Sequence, residues 1–138
     1  MLDLGKYTCL GAALRDALER WPDEVCLIEA DRDREKRRLT YRDFKREALP
    51  LARFLEEAGF GADARAAIVM TNQSKWLISA YAIFFRGGVL VPLDYKLTAP
   101  EHLKLLAHSR TRLLIVEYHL WRAMMQSEDF REMHVGTV

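Results

Sequence analysis

The stretch FFRGGVLVPLDYKLT, Phe84 to Thr98, sets a double glycine beside an aliphatic run, a pairing that in other contexts cradles phosphate. A phosphate cradle runs from a strand through glycines into the first turn of a helix. There, unpaired N–H groups and the positive end of the helix dipole face the anion. Here the order is reversed: an apolar helical segment leads into Gly87 and Gly88, and a strand leaves them. Such a joint offers a ligand carbonyl oxygens and the negative dipole end. The pair is therefore expected to stop a helix, with one left-handed residue, and not to hold a triphosphate.

Other reactive side chains are scattered. His102 and His108 lie six apart on one predicted helix and so on different faces, while His119 and His134 are isolated, which leaves no metal-binding set. No H-E-x-x-H, G-x-S-x-G or Walker sequence occurs. Ser74, Ser79, Ser109 and Ser127 have no neighbouring base in the sequence, and the lone serines and histidines read as surface or capping groups. Cys9 and Cys26 are seventeen apart without C-x-x-C spacing, and read as reduced thiols, buried or half-buried, in place of a disulfide or metal ligands.

Composition narrows the classes further. The chain has 138 residues, half of them apolar, enough for one domain with a real core. A formal charge of +1 gives no footprint for nucleic acid or an acidic membrane surface. The first twenty residues carry Asp3, Lys6, Arg15 and Asp16, so no secretory leader is expected and the protein reads as cytoplasmic. The longest apolar run, Trp76 to Phe85, is ten residues, about half of the ~20 that cross a bilayer, so it reads as a core helix and no transmembrane segment is expected.

These residues need elements to position them, and the joints between elements are legible. In LTYRDF, Thr40 caps a helix, Asp43 completes a capping box and Leu39 faces Phe44 as a hydrophobic staple. Phe44, Ala48, Leu51, Leu55 and Ala58 then step along one helical face until Gly59 ends it, with Phe60 folding back as in a Schellman cap. Pro50 sits inside this helix, depriving the Arg46 carbonyl of its partner, and a kink is expected from Arg46 to Pro50. Ala66 to Met70 is apolar on both faces, as a buried parallel strand should be. A helix over Lys75 to Arg86, apolar nearly all round, must be covered on more than one side. A strand over Val89 to Val91 follows. LTAPE repeats the earlier logic, with Thr98 as cap, Glu101 completing the box and Pro100 in the first turn. That helix buries Leu103, Leu106 and Ala107, and LLIV, Leu113 to Val116, makes another buried strand. Upstream, Val25 to Ala30 and RRLT pair as a hairpin, with the charged segment Asp31 to Arg38 as its solvated tip.

The predicted fold class is α/β: an open, mostly parallel sheet with helices on both faces, preceded by a short antiparallel hairpin. In such a sheet ligands lie beyond the carboxyl ends of the strands: here Thr71 to Gln73, Pro92 to Tyr95 and Glu117 to His119. Asn72, Asp94, Tyr95 and His119 are the polar groups best placed to meet a ligand or a second domain. Asn72 and Asp94 read more simply as turn residues.

LTYRDF, AAIVMTNQSKW, FRGGVLVPLDYKLTAPEHL and TRLLIV, taken together and in order, resemble the first core motifs of the adenylate-forming (AMP-dependent synthetase/ligase) superfamily, which includes acyl-CoA synthetases, peptide-synthetase adenylation domains and luciferases. The resemblance is close over residues 39–117, and VPLDYKLTAPE leans toward the fatty-acyl synthetases. It implies that residues 1–138 are a partial N-terminal subdomain of an ATP-dependent acyl-activating ligase. The implied reaction joins a carboxylate to AMP and passes the acyl group to a thiol. ATP, Mg and CoA or phosphopantetheine are implied for the full-length enzyme. The family's nucleotide loop, aromatic-Thr-Glu motif, ribose-binding Asp and C-terminal Lys are not found in these residues. No residue is therefore assigned as catalytic, cofactor-binding or metal-ligating, and the piece is expected to be inactive alone. Its expected partners are the remaining lobes of the same enzyme, with self-association through uncovered apolar surface. His134 to Val138 reads as the start of a further strand. The alternative is a free-standing, non-catalytic interaction or acyl-binding module derived from that lobe.

Overall fold

The computed structural model describes residues 4–128 and 130; the strand expected at His134 to Val138 lies outside them. The chain runs α1 (Leu10–Arg20), β1 (Val25–Asp31), β2 (Arg34–Thr40), α2 (Tyr41–Glu57), β3 (Arg65–Val69), α3 (Ser74–Phe85), β4 (Val89–Pro92), α4 (Ala99–Ser109), β5 (Leu113–Val116) and α5 (Tyr118–Met125). β1 and β2 form an antiparallel hairpin, and the other strands form a parallel sheet ordered β4-β3-β5. The predicted fold class is what is found.

Side-chain alternation along β3 builds two cores, one on each face of the sheet. Ala66, Ile68 and Met70 pack with Leu55 of α2 and Ile78 and Ile83 of α3, while Ala67 and Val69 pack with Leu103 and Leu106 of α4 and Met124 of α5. β3 is buried because it has a strand on either side. The expectation of a buried β5 is corrected: Leu113, Leu114, Ile115 and Val116 are all half-buried, because the strand order places β5 at an edge of the three.

The helix boundaries follow the capping chemistry. Thr40 and Asp43 form a reciprocal box on α2, as do Thr98 and Glu101 on α4, each contributing about 1 kcal/mol. Gly59 (φ +76°) ends α2, with the Phe60 N–H donating to the Leu55 carbonyl at 2.8 Å, and Phe60 is buried. Pro50 lies within the continuous span of α2 on an exposed position, and having no N–H it gives the Arg46 carbonyl no helical bond.

Further expectations are corrected, among them the burial of both cysteines: Cys26 is half-buried, but Cys9 is exposed just ahead of α1. The hairpin turn is confined to Arg32 and Asp33, and Arg34 to Arg38 pair in the ladder instead of forming a loose tip. In α4 the third buried position is His102, 1% exposed, and Ala107 is exposed. The His102 Nε2 lies 2.7 Å from the Asp94 carbonyl oxygen, so a histidine tethers the loop that precedes its own helix. Ser74 and Ser79 are buried as well, so three positions depart from the reading of the lone serines and histidines as mostly surface or capping groups.

Neither α1 nor α5 was anticipated from the sequence. α1 lies against α3 so closely that Gly11 meets the α3 backbone: a Cβ there would fall 2.1 Å from the Phe84 carbonyl oxygen. Arg15 of α1 donates to the Phe85 carbonyl at 2.8 Å, placing a cation at the negative end of α3.

Candidate functional site

β3, β4 and β5 are parallel, so their carboxyl ends lie at one end of the sheet. The loop leaving β3 turns toward the face carrying α1, α2 and α3, whereas those leaving β4 and β5 turn toward α4 and α5. The chain thus parts on both flanks of β3, the arrangement in which open α/β sheets form a ligand crevice.

Glu117, one residue past β5, organises that crevice. Its Oε1 accepts from the Thr71 N–H at 2.6 Å, the Thr71 hydroxyl at 2.6 Å and the Gln73 amide at 2.8 Å. These bonds, led by the Thr71 hydroxyl, hold the carboxyl below the usual glutamate range, and His119, whose Nδ1 is 3.4 Å from Oε2, adds to the effect. The hairpin braces the same loop from the other side. The Glu29 carboxylate accepts from the Ser74 N–H at 2.9 Å, at the positive end of α3, and its carboxyl is also held low, chiefly by the Ser74 hydroxyl. Arg37 donates to the Ser74 hydroxyl at 3.2 Å and pairs with Glu47 of α2.

Gln73 borders two clefts. One, of about 1010 Å³, opens between α2, α3 and β5 and is lined by Leu51, Met70, Ile78 and Ile115 with Lys75 and Glu117. The other, of about 390 Å³, lies between β1 and the start of α3, where Leu27, Ile28, Trp76 and Leu77 meet Asn72.

The four polar groups singled out from sequence do not converge. Asn72 lines the smaller cleft and His119 the larger. Asp94 makes a turn, its carboxylate accepting from the Lys96 N–H at 3.0 Å. The Lys96 ammonium lies 5.8 Å from the centre of the Tyr95 ring. Sequence reasoning missed Glu117, Gln73, Glu29 and Arg37. Gln73 and Glu117 stood inside ranges named as strand ends but were not singled out, and the place of Glu117 just before a helix was the available signal.

The glycine pair closes α3. Gly87 has φ +69°, its N–H donates to the Phe84 carbonyl at 3.0 Å, and the Gly88 N–H donates to the Ile83 carbonyl at 3.0 Å. Both amides are used within the chain, so the joint does not fit a triphosphate. Among the described residues no group of three His, Cys, Asp or Glu is placed to hold a metal ion, and no helix is long and apolar enough to cross a membrane.

The sequence model of the AMP-binding enzyme family matches residues 14–137. The chain belongs to that family. The AMP-binding enzyme match takes in α1 from Leu14 onward and all of α5 as well as the stretch 39–117 that carried the resemblance. Tyrocidine synthase 2 of Brevibacillus parabrevis is 29% identical over 74% of this chain and 3% of its own length. The chloroplastic long-chain fatty-acid acyl-carrier-protein ligase AEE15 of Arabidopsis thaliana is 29% identical over 75% of this chain and 14% of its own length. A peptide synthase and a fatty-acyl ligase thus match at the same identity, which does not separate the two classes. Among solved structures, the luciferase-like enzyme of the nonluminescent mealworm Zophobas morio superposes with a TM-score of 0.83 at 22% identity, over 98% of this chain and 32% of that one. The likeness shows the fold. This AMP-binding family chain spans a small part of the length of the relatives it matches.

Proposed function

We propose that this chain is the N-terminal lobe of an ATP-dependent acyl-activating ligase. It supplies the β4-β3-β5 sheet and one wall of the crevice beyond the strand ends, and it is inactive by itself. The reaction is formation of an acyl-AMP from a carboxylate and ATP with magnesium, followed by transfer to the thiol of CoA or a phosphopantetheine. The observation that carries this reading is the family match over residues 14–137, joined to the small share of each relative that the chain covers. The geometry of the glycine joint agrees with it, since the nucleotide-binding residues must then lie in another part of the enzyme. The proposed setting is cytoplasmic.

A second reading, a non-catalytic interaction or acyl-binding module, draws on the largely apolar 1010 Å³ cleft. The coding sequence beyond Val138 separates the two. Continuation into a Ser/Thr/Gly-rich loop ending in lysine supports the ligase lobe, and a stop codon there contradicts it in favour of the module.

The lobe carries apolar surface suited to another lobe: Tyr118 is 75% exposed and Ile28 50%. Alone, it is expected to self-associate as its concentration rises. Analytical ultracentrifugation over a hundredfold concentration range checks this, and a constant monomeric mass would contradict it.

A further inference from the structure

The loop from Thr71 to Ser74 is held by side chains from elsewhere in the chain. Ladder pairing between β3 and β5 ends at Val69 and Val116, with one more backbone bond, 3.2 Å long, from the Glu117 N–H to the Val69 carbonyl. Past that point the Thr71 N–H goes to the Glu117 carboxylate and the Ser74 N–H to the Glu29 carboxylate. Between these fixed residues Asn72 is exposed, and its side chain has no hydrogen bond among the described residues. Lys75 follows in the first turn of α3, exposed and without an ion pair among the described residues.

We propose that Glu117 is a positioning residue of the proposed ligase: its carboxylate, acting beyond the strand ladder, sets where the Thr71–Ser74 loop sits and with it Asn72 in the smaller cleft and Lys75 in the larger. What the crevice is used for rests on the ligase reading, whereas the bracing is a property of this chain. One oxygen accepting three donors is a charge-assisted arrangement, stronger than neutral bonds of the same number. A protonated carboxyl carries no charge, so the three bonds to Oε1 lose their charge assistance. Thr71 and Gln73 of the loop bond to Glu117, and Lys75 of α3, Tyr118 and His119 of α5, Arg37 of β2, and Arg46 and Glu47 of α2 line the larger cleft with it.

The sign follows from the lowered carboxyl. Its contribution is fully present above the ordinary glutamate value of about 4.3 and is lost as the pH falls through the lower folded value.

The test is an NMR titration of the ¹⁵N-labelled 138-residue chain from pH 7 to pH 3, with amide exchange measured at pH 7. The Thr71 amide resonance is expected to move in a step centred below about 4.3, and Glu117→Gln is expected to abolish that step. Glu29→Gln, which removes only the opposite brace, leaves it in place. At pH 7, Glu117→Gln is expected to lower the exchange protection of the Thr71 amide about tenfold relative to that of Ala67 and Ile68 in β3. Persistence of the Thr71 step in Glu117→Gln, or unchanged relative protection at pH 7, overturns the proposal. The exchange arm stands even if the chain unfolds in acid. No nucleotide or carboxylate is added, so this outcome and the ligase reading fail separately.

Discussion

Replacing Ile68 with alanine is expected to destabilise the chain by about 4 kcal/mol, toward the upper end of what truncating one buried aliphatic side chain costs. Ile68 is fully buried at the centre of β3, with Pro92 of β4 and Ile115 of β5 beside it in register. Its side chain lies in the core that also holds Leu55 and Ile83. Three neighbouring elements meet there, and none can close in without breaking the strand register. The deleted methylene and two methyl groups therefore leave a cavity whose lining loses its contacts. Native domains are stable by about 5–15 kcal/mol, so the variant keeps only a fraction of its stability. Ile28, half exposed on the hairpin, serves as the control, and its replacement by alanine should change stability by under about 0.5 kcal/mol. Urea unfolding followed by circular dichroism measures both, and equal losses at the two positions would contradict a core layered on the two faces of β3.

The second large effect is expected at Gly11. A methyl group there meets the Phe84 carbonyl oxygen at 2.1 Å and its carbon at 2.9 Å, and both belong to the backbone of α3. Backbone cannot rotate away as a side-chain tip can, so α1 itself must retreat. Retreat weakens the packing of Leu14 and Leu18 on the core and lengthens the Arg15 bond to the Phe85 carbonyl. Overpacking of this kind costs about 3 kcal/mol, which Gly11→Ala should show as a fall of about 1–2 M in the urea midpoint. A midpoint within about 0.2 M of the parent would show that α1 is not fixed against α3 at this glycine.

What the sequence made legible depended on whether the deciding partner was close in the chain. Thr40 with Asp43 and Thr98 with Glu101 are three residues apart, and Gly59 and Gly87 act on their own helices, so these joints could be read directly. α1 was hidden because Cys9 and Gly11 give it neither a capping side chain nor a strong helix former at its start. The run LLIV specifies a strand but not its place in a sheet, and the order β4-β3-β5 is what leaves it half-buried. On α4, Leu103 and Leu106 fix a face, but whether His102 or Ala107 completes it was settled by the Asp94 carbonyl. Glu117 finds Thr71 forty-six residues away, a distance at which no local pattern operates.

The same distinction separates fold from chemistry. The motifs that carry the resemblance lie in strands β3, β4 and β5 and at helix starts and stops, and at the glycine joint the role is structural: the Gly87 and Gly88 amides bond to α3 carbonyls. In the proposed enzyme the chain contributes a braced crevice wall, and the groups that handle ATP come from beyond it.

The most direct test is ATP–pyrophosphate exchange by the purified 138-residue protein with Mg²⁺ and a panel of amino, fatty and aryl carboxylates. Exchange no higher than in the protein-free blank, for every carboxylate, is the expected result. Carboxylate-dependent exchange above that blank would show that these residues alone activate a substrate, and would contradict their assignment as a lobe without its own catalytic groups.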